Sequence, residues 1–150
     1  MKRTEISTLG EFGLIRHLTH DITPQNASTL YGVGDDCAVM HYPDKEVLVS
    51  TDMLMEGIHF DLVYTPLKHL GYKAAVVNFS DLYAMNATPR QLLVSLALGK
   101  RFCIEDTEAL YAGLQLACQQ YGVDLVGGDT TSSLTGMALS LTCIGDARGG

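Results

Sequence analysis

Long apolar stretches and an excess of basic residues are both missing from this sequence. No run of 18 or more apolar residues occurs, so no segment is predicted to span a membrane. The first residues, MKRTEISTLGEF, lack the apolar core of a signal peptide. Ten Lys and Arg residues stand against 17 Asp and Glu residues, and the net charge of −7 argues against a nucleic acid or a membrane surface as the partner. We therefore expect a cytoplasmic protein.

Cysteine pairs and the common phosphate-binding loops are absent as well. The four cysteines form no C-x-x-C pair and have no His at zinc-finger spacing, so they are predicted to be reduced, buried thiols. Neither the Walker pattern G-x-x-x-x-G-K-[ST] nor the G-x-G-x-x-G pattern occurs. A bound nucleotide would therefore have to be held by metal ions, glycine backbone and the sheet.

What is present is the composition of one globular domain. The chain has 150 residues, of which 47% are hydrophobic and 18% are charged, which is too apolar for disorder. A chain of this length can bury a large core without disulfides. No repeat, low-complexity segment or linker divides it, so residues 1–150 are predicted to form a single domain.

The spacing of apolar residues predicts alternating helices and strands. Helices are predicted at 9–20, 66–85 and 104–121, and strands at 37–41, 46–54, 91–98, 123–126 and 137–144. The helix at 66–85 is apolar nearly all round in its second half and should be buried. The predicted fold class is α+β (mixed α/β), with one mixed sheet covered by two long helices.

Carboxylates recur beside glycine or hydroxyl residues at the ends of apolar segments. Asp36 follows a glycine turn, Asp52 follows Ser50-Thr51, and Asp129 follows a pair of glycines. Such hard oxygen ligands suit Mg²⁺ or Ca²⁺ better than zinc. Converging carboxylates would repel one another unless cations neutralised them, and Mg²⁺ shared with phosphates is typical of phosphoryl transfer.

Two further polar residues stand in apolar surroundings. Asp81 lies inside the predicted buried helix, where Asp is a poor helix former and an unpaired charge is costly. Asn78, three residues earlier, shares its helix face. This helix face is either a solvent-exposed polar stripe or one side of a cation site. His59, which lies outside this helix, is either a structural or a functional residue.

Four motifs occur in an order that resembles the thiamine-monophosphate kinases, a family of the PurM-like (AIR synthase-related) ATP-binding superfamily. They are GDDCAV at 34–39, STDMLMEGIHF at 50–60, NFSDLYAMNATP at 78–89 and GGDTT at 127–131. The resemblance implies a PurM N-terminal-like fold whose sheets pair across a homodimer. It also implies ATP-dependent phosphorylation of thiamine phosphate to thiamine diphosphate, by direct in-line transfer without a covalent enzyme intermediate.

The resemblance assigns a role to each matching position. It implies several Mg²⁺ ions, with ATP as co-substrate, and no residue that acts as a covalent catalyst. The Mg²⁺ positions it implies are Asp36, Ser50, Thr51, Asp52, Asp81 and Asp129, with Asp35 as a less favoured neighbour. It also implies that His59 contacts thiamine phosphate and that Tyr111, Gly128 and Asp129 contact the nucleotide.

The family pattern also leaves alternatives open. Its chains are about twice as long, with a C-terminal domain that completes the substrate pocket, so we expect an N-terminal domain that is inactive alone. An ATP-contacting Arg is expected beyond Gly150.

Another superfamily enzyme, such as selenophosphate synthetase, is disfavoured because residues 1–33 contain no cysteine. A non-catalytic metal-binding or dimerisation module is the alternative from another class.

Overall fold

The computed structural model describes most of the chain between residues 20 and 147. The described residues are 13, 16, 17, 20–32, 34, 36–62 and 65–147. The helix predicted at 9–20 falls almost entirely outside them, as does Asp35.

Strands and helices alternate along the described residues. They are β1 (Thr29–Tyr31), β2 (Ala38–Tyr42), β3 (Lys45–Met55), α1 (Leu67–Ala84), β4 (Thr88–Leu98), α2 (Ile104–Tyr121), β5 (Asp124–Ser132) and β6 (Ala138–Ala147). The two helices match their predicted spans within one residue. Within the described residues, no helix is long and apolar enough to cross a membrane.

The strands form one six-stranded mixed sheet in the order β1-β2-β3-β6-β4-β5. Only the β4–β5 pair of this sheet is parallel. Since β6 runs antiparallel to both β3 and β4, the strands β3, β4 and β5 all point the same way. The C-terminal ends of these three strands therefore lie at the same end of the sheet. The predicted mixed α/β class is confirmed.

Both helices cover the same face of the sheet. Alternate residues of β6 show this, because Leu139, Leu141 and Cys143 are fully buried whereas Ser140 and Thr142 are only partly covered. Helix residues complete the core on the covered side; they include Phe79, Leu82, Leu110 and Leu114. We call the other side of the sheet the open face; its side chains include Thr51, Met53, Ser95, Asp129 and Ser140.

Four strands differ from the prediction by three residues or more, and one of them, β6, continues three residues past its predicted end at residue 144. β1 was not predicted, because three largely exposed edge residues carry no periodic signal. β4 begins at Thr88, ahead of Pro89 and of the apolar run from which it was predicted. β5 was predicted to end at residue 126 but continues through the polar GGDTT segment to Ser132, because pairing with β4 carries it on.

The helices α1 and α2 touch through their backbones at two glycines. A Cβ atom at Gly71 would collide with the carbonyl oxygen of Leu110, and one at Gly113 would collide with that of Lys68. The close crossing therefore depends on both missing side chains.

We expect Gly113→Ala to lower the free energy of unfolding by about 1–3 kcal/mol, because the helices must move apart. This loss should appear although alanine is the better helix former by about 1 kcal/mol. Urea unfolding measures the change. Gln115→Ala, on the exposed side of α2, is the control and should shift stability by less than about 0.5 kcal/mol. Equal stability of Gly113→Ala and wild type would show that the crossing has room for a methyl group.

Candidate functional site

A group of polar side chains lies between β3 and α1, which we call the acidic cluster. Its members are Asp36, Ser50, Asp52, Asn78 and Asp81. The Ser50 hydroxyl lies 3.3 Å from Asp81 Oδ2 and 3.2 Å from the backbone oxygen of Asp36, so its single proton can serve either acceptor. Asn78 Nδ2 donates to Asp52 Oδ2 at 3.1 Å. The period of two along β3 and the three-residue spacing on α1 bring these side chains together.

The acidic cluster holds the Asp81 carboxylate in an unfavourable environment for charge. Burial, together with the negative charge and hydrogen bond of Asp52, raises the pKa of Asp81 from 3.8 to about 6. The charge of Asp36 adds to this rise in pKa, and the hydrogen bond from Ser50 opposes it. A cation placed beside Asp52 and Asp81 would relieve both the desolvation and the repulsion.

This raised pKa makes the stability of the metal-free chain depend on pH. Between pH 3.8 and about 6 the unfolded chain releases the Asp81 proton while the folded chain keeps it. Stability from this group is therefore complete below pH 3.8 and is lost as the pH rises through about 6. We expect Asp81→Asn to flatten the fall in stability over that range and to be more stable than wild type at pH 7.

Urea unfolding without divalent ions, at several pH values from 4 to 7, measures this difference. Asp124→Asn, a solvent-exposed position at the start of β5, is the control and should follow the wild-type curve. Parallel curves for Asp81→Asn and wild type would contradict the pKa shift.

Asn78 belongs to the acidic cluster, and its burial excludes the solvent-exposed polar stripe that was one of the two alternatives for this helix face. Its side chain is 0% exposed, and its Oδ1 has no hydrogen-bond partner among the described residues. An unpaired buried carbonyl costs about 1–3 kcal/mol. The signal in the sequence was an amide in the middle of an apolar helix, on the face of Asp81.

Two of the six predicted Mg²⁺ positions, Thr51 and Asp129, lie elsewhere. Asp52 and Gly128 stand in one row across β3, β6, β4 and β5. At the usual strand spacing this row separates them by about 14 Å. Thr51 faces the open side, where its hydroxyl lies 3.1 Å from that of Thr142. Asp129 accepts from the amide of Thr130 at 2.9 Å and lines an open-face cavity of about 180 Å³.

The acidic cluster suits a partly hydrated ion better than a protein cage. In the part of the chain that the structure describes, no three His, Cys, Asp or Glu side chains are grouped closely enough to hold a metal. Mg²⁺ ordinarily keeps several waters and binds one or two carboxylates plus substrate phosphates. Asp52 and Asp81 supply two adjoining carboxylates, and Ser50 adds a hydroxyl. This hard-oxygen donor set fits Mg²⁺.

His59 is held in one orientation by the turn that follows β3. The backbone amide of Met55 donates to His59 Nδ1 at 2.9 Å, so the ring proton is on Nε2 and is available to a ligand. Gly57 N donates to Phe60 O at 2.8 Å and closes the turn. Glu56 anchors the turn, because it accepts from the Met137 amide at 2.9 Å and pairs with Arg101.

The three predicted nucleotide-binding residues line a single cavity. Tyr111, Gly128 and Asp129 border a space of about 590 Å³ between α2 and the edge strand β5. This volume is in the usual range for small-molecule sites. Burial raises the pKa of Tyr111, so its phenol stays protonated and can donate a hydrogen bond. Gly128 has φ 150°, and a Cβ there would collide with the Val94 backbone, so glycine is required by the sheet as well.

A mixed sheet covered on one face by two helices, with the acidic cluster under α1 and a polar cavity along β5, defines a domain of the PurM N-terminal-like class. The model of the family "AIR synthase related protein, N-terminal domain" matches residues 34–147. The chain therefore belongs to the AIR synthase related family.

Relatives within this family carry a more specific name. The chain is 36% identical over 148 residues to the thiamine-monophosphate kinase of Bacillus subtilis, covering 95% of this chain and 44% of the relative. The thiamine-monophosphate kinase of Escherichia coli K12 is 36% identical over 135 residues, covering 88% of this chain and 40% of the relative. The chain thus spans less than half the length of these relatives.

A solved structure extends the likeness to three dimensions. The structure "AaThiL complexed with AMPPCP and TMP" is similar with a TM-score of 0.86 and 32% identity, over 99% of this chain and 45% of that one. The expected PurM N-terminal-like architecture is confirmed by this likeness and by the family match.

Proposed function

We propose that this chain supplies the metal- and phosphate-binding part of a thiamine-monophosphate kinase. The observation that carries the proposal is the acidic cluster, where the Ser50 hydroxyl lies 3.3 Å from Asp81 Oδ2 and Asn78 Nδ2 donates to Asp52 Oδ2 at 3.1 Å. Burial, and after it the charge of Asp52, raises the pKa of Asp81 to about 6. The names of the relatives and the AMPPCP and TMP held by the similar structure support ATP and thiamine phosphate as the substrates.

The reaction we propose is a direct in-line transfer. An oxygen of the thiamine phosphate attacks the γ-phosphorus of ATP, the new O–P bond forms, and the bond to the bridging oxygen of ADP breaks. The attacking oxygen is already ionised near neutral pH, so no strong general base is needed. Burial raises the pKa of the Cys143 thiol to about 12, so this thiol stays protonated.

The chain's own residues divide this work between two places. Asp36, Ser50, Asp52 and Asp81 would hold Mg²⁺, which neutralises phosphate charge when bound. Tyr111 and the Gly128 backbone would hold the nucleotide in the cavity along β5, with Asp129 beside them. Because Asp129 follows Gly128, which lies about 14 Å from Asp52 along the row across β3, β6, β4 and β5, and faces the open side of the sheet, Asp52 and Asp129 would not hold the same ion. His59 would donate a hydrogen bond from its Nε2–H group to thiamine phosphate.

We also propose that two copies of the chain pair through the open face. Met53 is 64% exposed there, and Met55 beside it is also exposed. The same face carries the partly covered Val49, Leu93 and Ile144 among its polar side chains. Such apolar patches with polar neighbours are typical of an interface, and a twofold homodimer is the commonest arrangement.

We expect the 150-residue chain alone to form no measurable thiamine diphosphate. Holding both reactants in line can supply about 7–11 kcal/mol of the barrier, and only His59 in this chain matches a substrate contact. A fusion to the C-terminal part of the Bacillus subtilis relative should restore product formation. Chromatographic detection of thiamine diphosphate from ATP and thiamine phosphate measures both. Turnover by the chain alone, or a folded but inactive fusion, would count against the proposed division of work.

A further inference from the structure

Two polar contacts join β3 and α1 within the acidic cluster, and each links a carboxylate on one element to a neutral donor on the other. Asp52 stands on β3 and accepts a hydrogen bond from an amide on α1, that of Asn78. Asp81 stands on α1 and lies within hydrogen-bond distance of a hydroxyl on β3, that of Ser50. Each carboxylate therefore lies within hydrogen-bond distance of a neutral donor from the opposite element.

We propose that Asn78 is a positioning residue, whose Nδ2–H group fixes the Asp52 carboxylate for cation binding. As far as the cation is concerned, this inference rests on the proposed function. The hydrogen bond takes up Asp52 Oδ2 at 3.1 Å and leaves Oδ1 outside that contact. A carboxylate fixed in this way loses less side-chain freedom when an ion binds.

Packing alone does not explain an amide at this position. Asn78 is 0% exposed and lies on α1 with the fully buried Ala75, Phe79 and Leu82. Leucine has the same branching and number of heavy atoms, and it would fill the space without an unpaired oxygen. The chain instead carries an amide with an unpartnered Oδ1 and one hydrogen bond, to Asp52.

Charge also fixes the orientation of this amide. If the Asn78 amide were rotated by half a turn, its oxygen would face the oxygen of an ionised Asp52 at hydrogen-bond distance, and the two would repel. The Asp52 charge therefore selects one orientation of Asn78, and Asn78 in turn selects one orientation of Asp52.

The Asn78–Asp52 hydrogen bond can be tested without metal. In nuclear magnetic resonance spectra of the metal-free 150-residue chain, the side-chain NH₂ protons of Asn78 should be shifted and slow to exchange. Asp52→Ala should remove that shift, while Ser80→Ala on the exposed side of α1 should leave it unchanged. Signals of Asn78 that do not respond to Asp52→Ala would overturn the inference.

The positioning role is tested with Mn²⁺ alone, followed by paramagnetic broadening of β3 amide signals. We expect Asn78→Leu and Asn78→Ala to bind Mn²⁺ about 10–100-fold more weakly than wild type. Asn78→Leu should keep or gain stability in urea, since it removes an unpaired buried oxygen. A purely structural Asn78 would change stability and leave Mn²⁺ affinity unchanged.

The outcomes separate this inference from the proposed function. Wild-type Mn²⁺ affinity in a folded Asn78→Leu or Asn78→Ala chain, with binding lost in Asp52→Asn, overturns the inference alone. A wild-type chain that binds no Mn²⁺ overturns the proposed metal site. If neither Asn78 variant folds, the response of the Asn78 signals to Asp52→Ala decides whether the bond exists.

Discussion

Asp52→Asn should lower the phosphoryl-transfer rate of the fusion enzyme by about 10³-fold or more, because it removes a carboxylate from the proposed Mg²⁺ site. Folding should survive, since asparagine has the same shape and keeps an oxygen that can accept from Asn78. Stability without metal should rise, because the charge of Asp52 is one of the causes that raise the pKa of Asp81.

Steady-state rates at saturating Mg²⁺ and urea unfolding without metal measure these two effects. Asp44→Asn, in the exposed turn between β2 and β3, is the matched control and should keep wild-type rates. Equal turnover of Asp52→Asn and wild type would remove Asp52 from the metal site.

Met53→Asp should dissociate the proposed homodimer, weakening self-association by at least about 100-fold. Met53 lies on the open face at 64% exposure and borders a cavity with Ser95, Asp129 and Ser140. A second copy would bury this surface, and a new carboxylate in its centre would be desolvated without a partner.

Sedimentation velocity at micromolar concentration distinguishes dimer from monomer. Ile104→Asp is the control, because Ile104 is 71% exposed but begins α2 on the other side of the sheet. We expect this variant to remain dimeric. A wild-type chain that sediments as a monomer would contradict the dimer.

Local patterns in the sequence predicted the elements that have a strong period. The spans of α1 and α2 follow from apolar spacing, and β6 was predicted within three residues at its C-terminus. β1 and the second half of β5 have no such pattern. These segments are strands because their backbones pair with a neighbouring strand. Those pairings are properties of the whole fold.

The candidate site was predictable in its residues but not in its geometry. Ser50 and Asp52 share one face of β3, and the period of two already places Thr51 on the other. The distance of Asp129 from Asp52, by contrast, depends on β6 lying between β3 and β4. No local pattern reveals that order. The sequence therefore did not show that the six positions grouped by the family resemblance are divided between the two sides of the sheet.

The central position of β6 has a consequence for how the chain folds during synthesis. β6 follows every other described element, yet it pairs with both β3 and β4. Until residues 138–147 leave the ribosome, β3 and β4 each present an unpaired edge to other chains. The sheet is complete only when β6 inserts between the strands β1-β2-β3 and the strands β4-β5. This non-local step slows folding. Nascent chains that stop short of β6 are therefore the species most exposed to aggregation and most dependent on chaperones.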